Sequence, residues 1–180
     1  MDKKTLRQKQ ITKLKENQAK TRLEGIELLK RLEVTPEWKS AKSIATTISG
    51  PFEVPTTPII EAAQAENKKV YLPKTMPHRQ MAFLPFTSKD NLVRSDFGIL
   101  EPIYEEELVN QSPDLVIVPG LAFAKDSNYR VGFGGGYYDR FLANYVGKTV
   151  ALVPDAMSFG TASWNIKEHD IKIQKLIFAD

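Results

Sequence analysis

Apolar residues recur along the chain with two different periods. Residues 2–18 carry Leu6, Ile11 and Leu14 on a thin stripe and are expected to form a helix. A second helix is expected over 19–33, with Leu23, Ile26, Leu29 and Leu32 toward the core. Thr35-Pro36 ends that run and opens a short helical turn through Trp38. Ser43 to Ser49 reads as a strand, punctuated by Gly50-Pro51, with a loop at Phe52–Pro55. Thr57 can cap a helix running to Asn67. Lys69 to Leu72 reads as a short strand stopped by Pro73, and Gln80 to Phe86 as another.

Residues 91–102 show no period and read as surface loop, followed by an acidic helical turn over Tyr104–Asn110. Asp114–Val118 and Thr149–Val153 are apolar almost throughout, as parallel strands covered on both faces should be. An amphipathic run follows from Tyr137 to Tyr145, and Lys172–Phe178 reads as the last strand. Strands alternating with helices predict an α/β fold. The expectation is a single domain over residues 1–180: a mainly parallel sheet with helices on both faces, in three layers. Ligands of such sheets bind at the carboxyl ends of the strands.

Composition narrows the chemistry. The chain has 180 residues and no cysteine, which excludes disulfides, thiolate metal sites and a cysteine nucleophile. The opening MDKKTLRQKQ lacks a signal-peptide core, and no apolar run reaches transmembrane length. A cytoplasmic protein with no membrane partner is therefore expected. The formal charge of +3 is uneven. Residues 1–22 hold eight basic and two acidic side chains, a local +6, whereas the remaining 17 basic and 20 acidic residues sum to −3. A domain with a negative body is a poor general nucleic-acid binder. The basic helix is either a solvated face or a seat for an anion.

Half of the chain's ten glycines lie between Gly120 and Gly136. Strand, glycine turn and helix start in that order make an anion cradle of free backbone N–H groups. No Gly-Lys-Ser/Thr follows, so this is not a P-loop, and a full G-x-G-x-x-G is missing. Arg130 can fork onto phosphate oxygens, Asp139 can hold a Mg²⁺ that bridges phosphates, and Tyr137 and Tyr138 offer ring faces. A structural hairpin with the tyrosines in the core is the other reading. Glu168-His169-Asp170 is a candidate for the second carboxylate, or simply a polar turn. His78 is assigned no role.

The stretch PGLAFAKDSNYRVGFGGGYYDRFL closely resembles the signature of the 5-formyltetrahydrofolate cyclo-ligase family. The matching positions are Pro119, Gly120, Phe123, Arg130, Gly132, Gly134, Gly136, Tyr137, Tyr138, Asp139 and Leu142. Lys3-Lys4-Thr5-Leu6-Arg7 resembles the family's opening basic segment. The region around Ile48 and Glu53 resembles its folate-contacting segment, and Phe97–Pro102 a segment near the pterin. His169-Asp170 resembles its late H-D element. The resemblance spans nearly the whole chain. It departs at Phe133, where some members carry a basic residue, and at Gln174, where many carry Asp.

The resemblance implies a monomeric enzyme that converts 5-formyltetrahydrofolate and ATP to 5,10-methenyltetrahydrofolate, ADP and phosphate with Mg²⁺. It assigns Lys3, Lys4, Thr5, Leu6, Arg7, Arg130, Val131, Gly132, Phe133, Gly134, Gly135, Gly136, Tyr137 and Tyr138 to ATP. Ile48, Glu53, Phe133, Gly134, Gly135, Gly136 and Tyr137 fall to the folate. Arg130 and Tyr138 would be catalytic, and Asp139 and Asp170 would hold Mg²⁺. Two other classes stay open: a phosphate-binding α/β enzyme such as a sugar-phosphate isomerase or CoA-transferase relative, and a binding module for folate or RNA.

Overall fold

The computed structural model describes residues 1–180. The elements in chain order are helix α1 (Lys3–Glu16), α2 (Gln18–Glu33) and α3 (Pro36–Ser40), strand β1 (Ser43–Ala45), α4 (Thr57–Ala65), β2 (Lys69–Met76) and β3 (Gln80–Pro85). Then come β4 (Leu92–Arg94), β5 (Leu100–Pro102), β6 (Leu115–Ile117), β7 (Ala122–Ala124) and β8 (Arg130–Val131). Last come α5 (Tyr137–Leu142), β9 (Lys148–Val153), β10 (Ser158–Phe159) and β11 (Lys175–Phe178).

The central sheet has the order β11-β9-β6-β1-β2-β3, parallel except for the antiparallel β3. This is the expected α/β architecture. Alternate strand residues face opposite cores, as the period of two requires. Ala45, Val116, Ala151 and Val153 pack with Leu14 of α1 and Leu142 of α5. Ile44, Leu115, Ile117, Val150 and Leu152 pack with Leu28 and Leu32 of α2, Trp38 of α3 and Ile59, Ile60 and Ala63 of α4. Strand order reverses at β1, since β2 lies on one side of it and β6 on the other. The crevice beyond the carboxyl ends of β1 and β6 is thus the switch point where such sheets bind ligands.

Several local expectations fail for identifiable reasons. β1 stops at Ala45 rather than Ser49. β2 runs through Pro73 to Met76. Pro73 faces Phe83 of β3, whose carbonyl accepts from Asn110 N and whose N–H donates to Gln111. Phe83 thus turns its backbone polar groups away from β2, and Pro73 loses no ladder bond there. The stretch 91–102 holds the β4–β5 hairpin, which turns at Gly98 (φ 76°). Glu101 fixes that hairpin: it is buried and accepts from Thr75 N, Thr75 Oγ1 and Lys74 Nζ on β2. On α2, Leu23 and Ile26 are exposed; the inner face is Thr21, Leu28 and Leu32. Gly25 lies on that same face, and a Cβ there would come within 3.2 Å of Pro55. The 104–110 turn is a single 3-10 turn at Glu106–Leu108, α5 ends at Leu142, and β11 begins at Lys175.

Candidate active site

Strand β6 does not run directly into the glycines. Strands β7 and β8 intervene and form a small separate sheet with β10. Arg130 is opposite Phe123 in the β7–β8 register, and its side chain turns inward beneath the loop. The loop 132–136 then leaves β8. None of its five backbone N–H groups donates to a protein acceptor. Gly134 (φ 107°) and Gly136 (φ 73°) hold left-handed conformations that favour glycine. Helix α5 spans only six residues, so its dipole is small. The capacity for an anion rests on the free amides and on what surrounds them.

What surrounds them is arginine. Arg7 of α1 donates from Nε to Gly132 O at 2.8 Å, and its guanidinium lies over Gly134. Arg79, in the β2–β3 turn, donates to Gly135 O at 3.0 Å, and Arg140 of α5 reaches the same oxygen at 3.3 Å. Arg130 lies below, with Nη2 3.7 Å from Asp139 Oδ1 and its Cζ 5.7 Å from the centroid of the Tyr138 ring. Burial lowers the Arg130 pKa, partly countered by Asp139, Tyr138 and Asp170. Its Nε and the Tyr138 hydroxyl are buried without a protein partner. Burial pushes the Tyr138 phenol far up, so it stays protonated at neutral pH.

The two carboxylates expected at a metal flank this loop. Asp139 Oδ1 accepts from Ile171 N at 3.1 Å, which ties α5 to the residue after Asp170. Asp170 Oδ2 accepts from Lys167 N at 2.8 Å and pairs with Lys3. Burial raises the Asp170 carboxyl, but Lys167 N–H and the Lys3 ammonium outweigh it and hold it below the ordinary range. Each carboxylate has its second oxygen uncommitted. Magnesium takes one or two carboxylates together with phosphate and water, so this donor set fits it.

Of the other predicted residues, Lys4 is exposed, Thr5 donates from its N–H and hydroxyl to Asp2, the N-cap of α1, and Leu6 packs in a small core with Val131 and Trp164. Glu53 lies beside the switch-point crevice. It lines a cavity of about 40 Å³ with Thr46, Val118, Gly120 and Phe123. Burial raises its pKa, against the pull of Gly50 N–H, which donates to it at 2.5 Å. Ile48 is half-buried on the same loop. Phe133 is 52% exposed, and its ring centroid lies 6.5 Å from that of Phe52. The loop that carries Ile48, Phe52 and Glu53 and the glycine loop therefore face one another. The Tyr137 ring packs against Gly135, where a Cβ would come within 2.7 Å. Phe97 is exposed in the β4–β5 turn. Gln174 bonds Thr149 N and Gly147 O at the amino end of β9, away from the glycine loop. Its departure from Asp therefore leaves Asp139 and Asp170 untouched.

Sequence reasoning brought together 3–7, 130–139 and 170 only by resemblance; the fold brings them into contact. It missed Phe52, Arg79 and Arg140. Pro77-His78-Arg79 carries a turn signal, but nothing local says that this turn meets residue 135.

Comparison with known proteins agrees across the chain. A model of the 5-formyltetrahydrofolate cyclo-ligase family matches residues 1–177. The 5-formyltetrahydrofolate cyclo-ligase of Haemophilus influenzae is 31% identical over 149 residues, 76% of this chain and 78% of the relative. A Schizosaccharomyces pombe protein named as a probable 5-formyltetrahydrofolate cyclo-ligase is 32% identical over 127 residues, 68% of this chain but 62% of the relative. The 5,10-methenyltetrahydrofolate synthetase structure from Aquifex aeolicus superposes with TM-score 0.82 at 28% identity, over 99% of this chain and 90% of its own. The Mycoplasma pneumoniae synthetase, at 21% identity and TM-score 0.69 over 98% of both chains, shares the fold.

Proposed function

The chain belongs to the 5-formyltetrahydrofolate cyclo-ligase family, and from that premise we propose that it cyclises 5-formyltetrahydrofolate to 5,10-methenyltetrahydrofolate with ATP. The observation that carries the site reading is the loop 132–136, whose five amides have no protein acceptor and lie between Arg7 above and Arg130 below. That is a seat for a highly charged polyphosphate.

A formamide oxygen is a poor leaving group. Transfer of the γ-phosphoryl group to that oxygen forms an iminium phosphate and releases ADP. N10 then attacks the formyl carbon, gives up its proton, and phosphate departs as the ring closes. The protein has little covalent work; it positions the partners and neutralises spreading charge.

Arg7 and the loop amides hold the phosphates. Arg130 and Tyr138 meet the transferring group, each with a buried donor that lacks a protein partner. Tyr138 is held in its O–H form and so donates rather than repels. Asp139 and Asp170 would hold Mg²⁺, which supplies charge neutralisation at the phosphates. Lys3, paired with Asp170, would add positive charge beside that carboxylate. Ile48, Tyr137, Phe133 and Phe52 offer apolar contact to the flat ring, and Glu53 accepts from its N–H pair. An acceptor left unpaired by other ligands is a strong specificity device.

The proposal includes a single functional domain over 1–180, acting as a cytoplasmic monomer without nucleic-acid or membrane partners. Lys3 and Arg7 are engaged within the protein, and no helix is long and apolar enough to cross a membrane. The test is the absorbance of methenyltetrahydrofolate formed with and without ATP. Formation that ignores ATP, or none at all, would sink the assignment.

A further inference from the structure

The β2–β3 connection has an unusual backbone. His78 (φ 59°) and Arg79 (φ 58°) are consecutive non-glycine residues in the left-handed region. The other two such residues in the chain, Asn67 and Asn128, are of the type that tolerates it. An arginine held there is strained unless the surroundings fix it, and such strain clusters at ligand clamps. Here the surroundings aim the Arg79 guanidinium at the glycine loop.

It does not arrive alone. Arg79 Nη1 and Arg140 Nη1 both donate to the single carbonyl oxygen of Gly135, at 3.0 and 3.3 Å. The two nitrogens are therefore at most 6.3 Å apart, the sum of those distances. Neither arginine has a carboxylate partner. Both are exposed, so solvent and ligand reach them. Like charges this close repel, and one neutral carbonyl compensates them poorly. Two planar forks at this spacing match an anion with paired oxygens.

We propose that Arg79 and Arg140 form a clamp at Gly135 for an anionic oxygen pair of a substrate. The inference rests on the cyclo-ligase reading of the loop. That reaction offers two sources of the same chemistry: a carboxylate of the folate's glutamate tail, or a phosphate of ATP. Arg79 reaches the loop from the strand turn and Arg140 from α5, so the clamp joins two elements that the sequence separates.

The test is equilibrium binding to the full chain by calorimetry, with ATP alone and with 5-formyltetrahydrofolate alone in its mono- and pentaglutamate forms. The R79A/R140A double variant should lose about tenfold in affinity for one ligand class while melting as the unmutated protein does. Loss confined to the folate forms identifies the glutamate carboxylates, and loss confined to ATP identifies a phosphate. R79K should recover only part of the loss, because lysine keeps the charge but not the fork. Affinity for both ligands equal to that of the unmutated protein overturns the clamp. An unmutated protein that binds neither ligand and makes no methenyltetrahydrofolate overturns the cyclo-ligase reading itself, and the clamp with it.

Discussion

Arg7 Nε donates to the carbonyl of Gly132 at 2.8 Å, which joins the first helix to the glycine loop across 125 residues of sequence. Arg7→Ala should therefore weaken ATP binding by about tenfold, the range for a lost charge-assisted bond, with folate binding nearly unchanged. Calorimetry with each ligand checks this. Deleting residues 1–8 is a poorer test, because it also removes buried Leu6 and the Lys3–Asp170 pair. Equal loss of both ligands in the point variant would make Arg7 a folding contact.

Arg130→Met should lower turnover by about a hundredfold or more, as loss of a positioned donor does. The melting temperature should change little. A buried guanidinium with an unpaired Nε is destabilising, but its removal also takes the counter-charge 3.7 Å from Asp139, so the two effects oppose. Steady-state rates and thermal melts decide. A strong loss of stability would show that Arg130 supports the loop rather than the chemistry.

Asp139→Asn keeps an oxygen for Ile171 N but loses the charge. The magnesium concentration for half-maximal rate should rise about tenfold or more if this carboxylate is a ligand. An unchanged magnesium titration removes Asp139 from the metal site.

Glu53 has its pKa raised from 4.5 by burial. The folded state thus binds this proton more tightly than the unfolded chain. The stabilisation is full below pH 4.5 and is lost as pH rises through the raised value. Glu53→Gln should escape that loss: it should melt at or above the unmutated protein at pH 7, with the gap closing near pH 4. Folate affinity runs the other way, because the ring N–H pair needs the carboxylate. It should fall as pH drops through the raised pKa in the unmutated protein and be weak at every pH in the variant. Melts and folate titrations across that range check both signs.

Gly134→Ala places a Cβ 3.3 Å from Arg7 Cζ at a φ of 107°. It should destabilise the protein by roughly 1–3 kcal/mol through backbone strain and weaken ATP binding by shifting Arg7. Gly98→Ala, where nothing lies within 4 Å, carries only the backbone penalty and serves as the control.

The architecture was legible because its strongest signals are local. Asp114–Val118 and Thr149–Val153 declare buried parallel strands by composition alone. What failed depends on partners. Pro73 sits inside a strand because Phe83 asks no hydrogen bond of it. Gly25 lets Pro55 come close and so turns α2 to bury Thr21 and Leu28 rather than Leu23 and Ile26. The β4–β5 hairpin lies in a stretch without a period and is held by buried Glu101, whose partners on β2 are distant in sequence. At the site, the motif marked Arg130 and Asp139, but the clustering of Arg79 and Arg140 at one carbonyl exists only in three dimensions.

Lys3 meets Asp170 across 167 positions, and that pair has a consequence for biosynthesis. Asp170 leaves the ribosome 167 residues after Lys3, when every strand but β11 has emerged. The sheet can assemble progressively, but this contact cannot. Pairings between distant residues also form late in refolding, since loop closure precedes any reward. A stalled chain lacking the segment beyond Ile166 would carry the glycine loop and its arginines yet miss the carboxylate that Lys3 neutralises. If Asp170 serves the site as proposed, competence to turn over substrate waits until that residue has emerged and met Lys3.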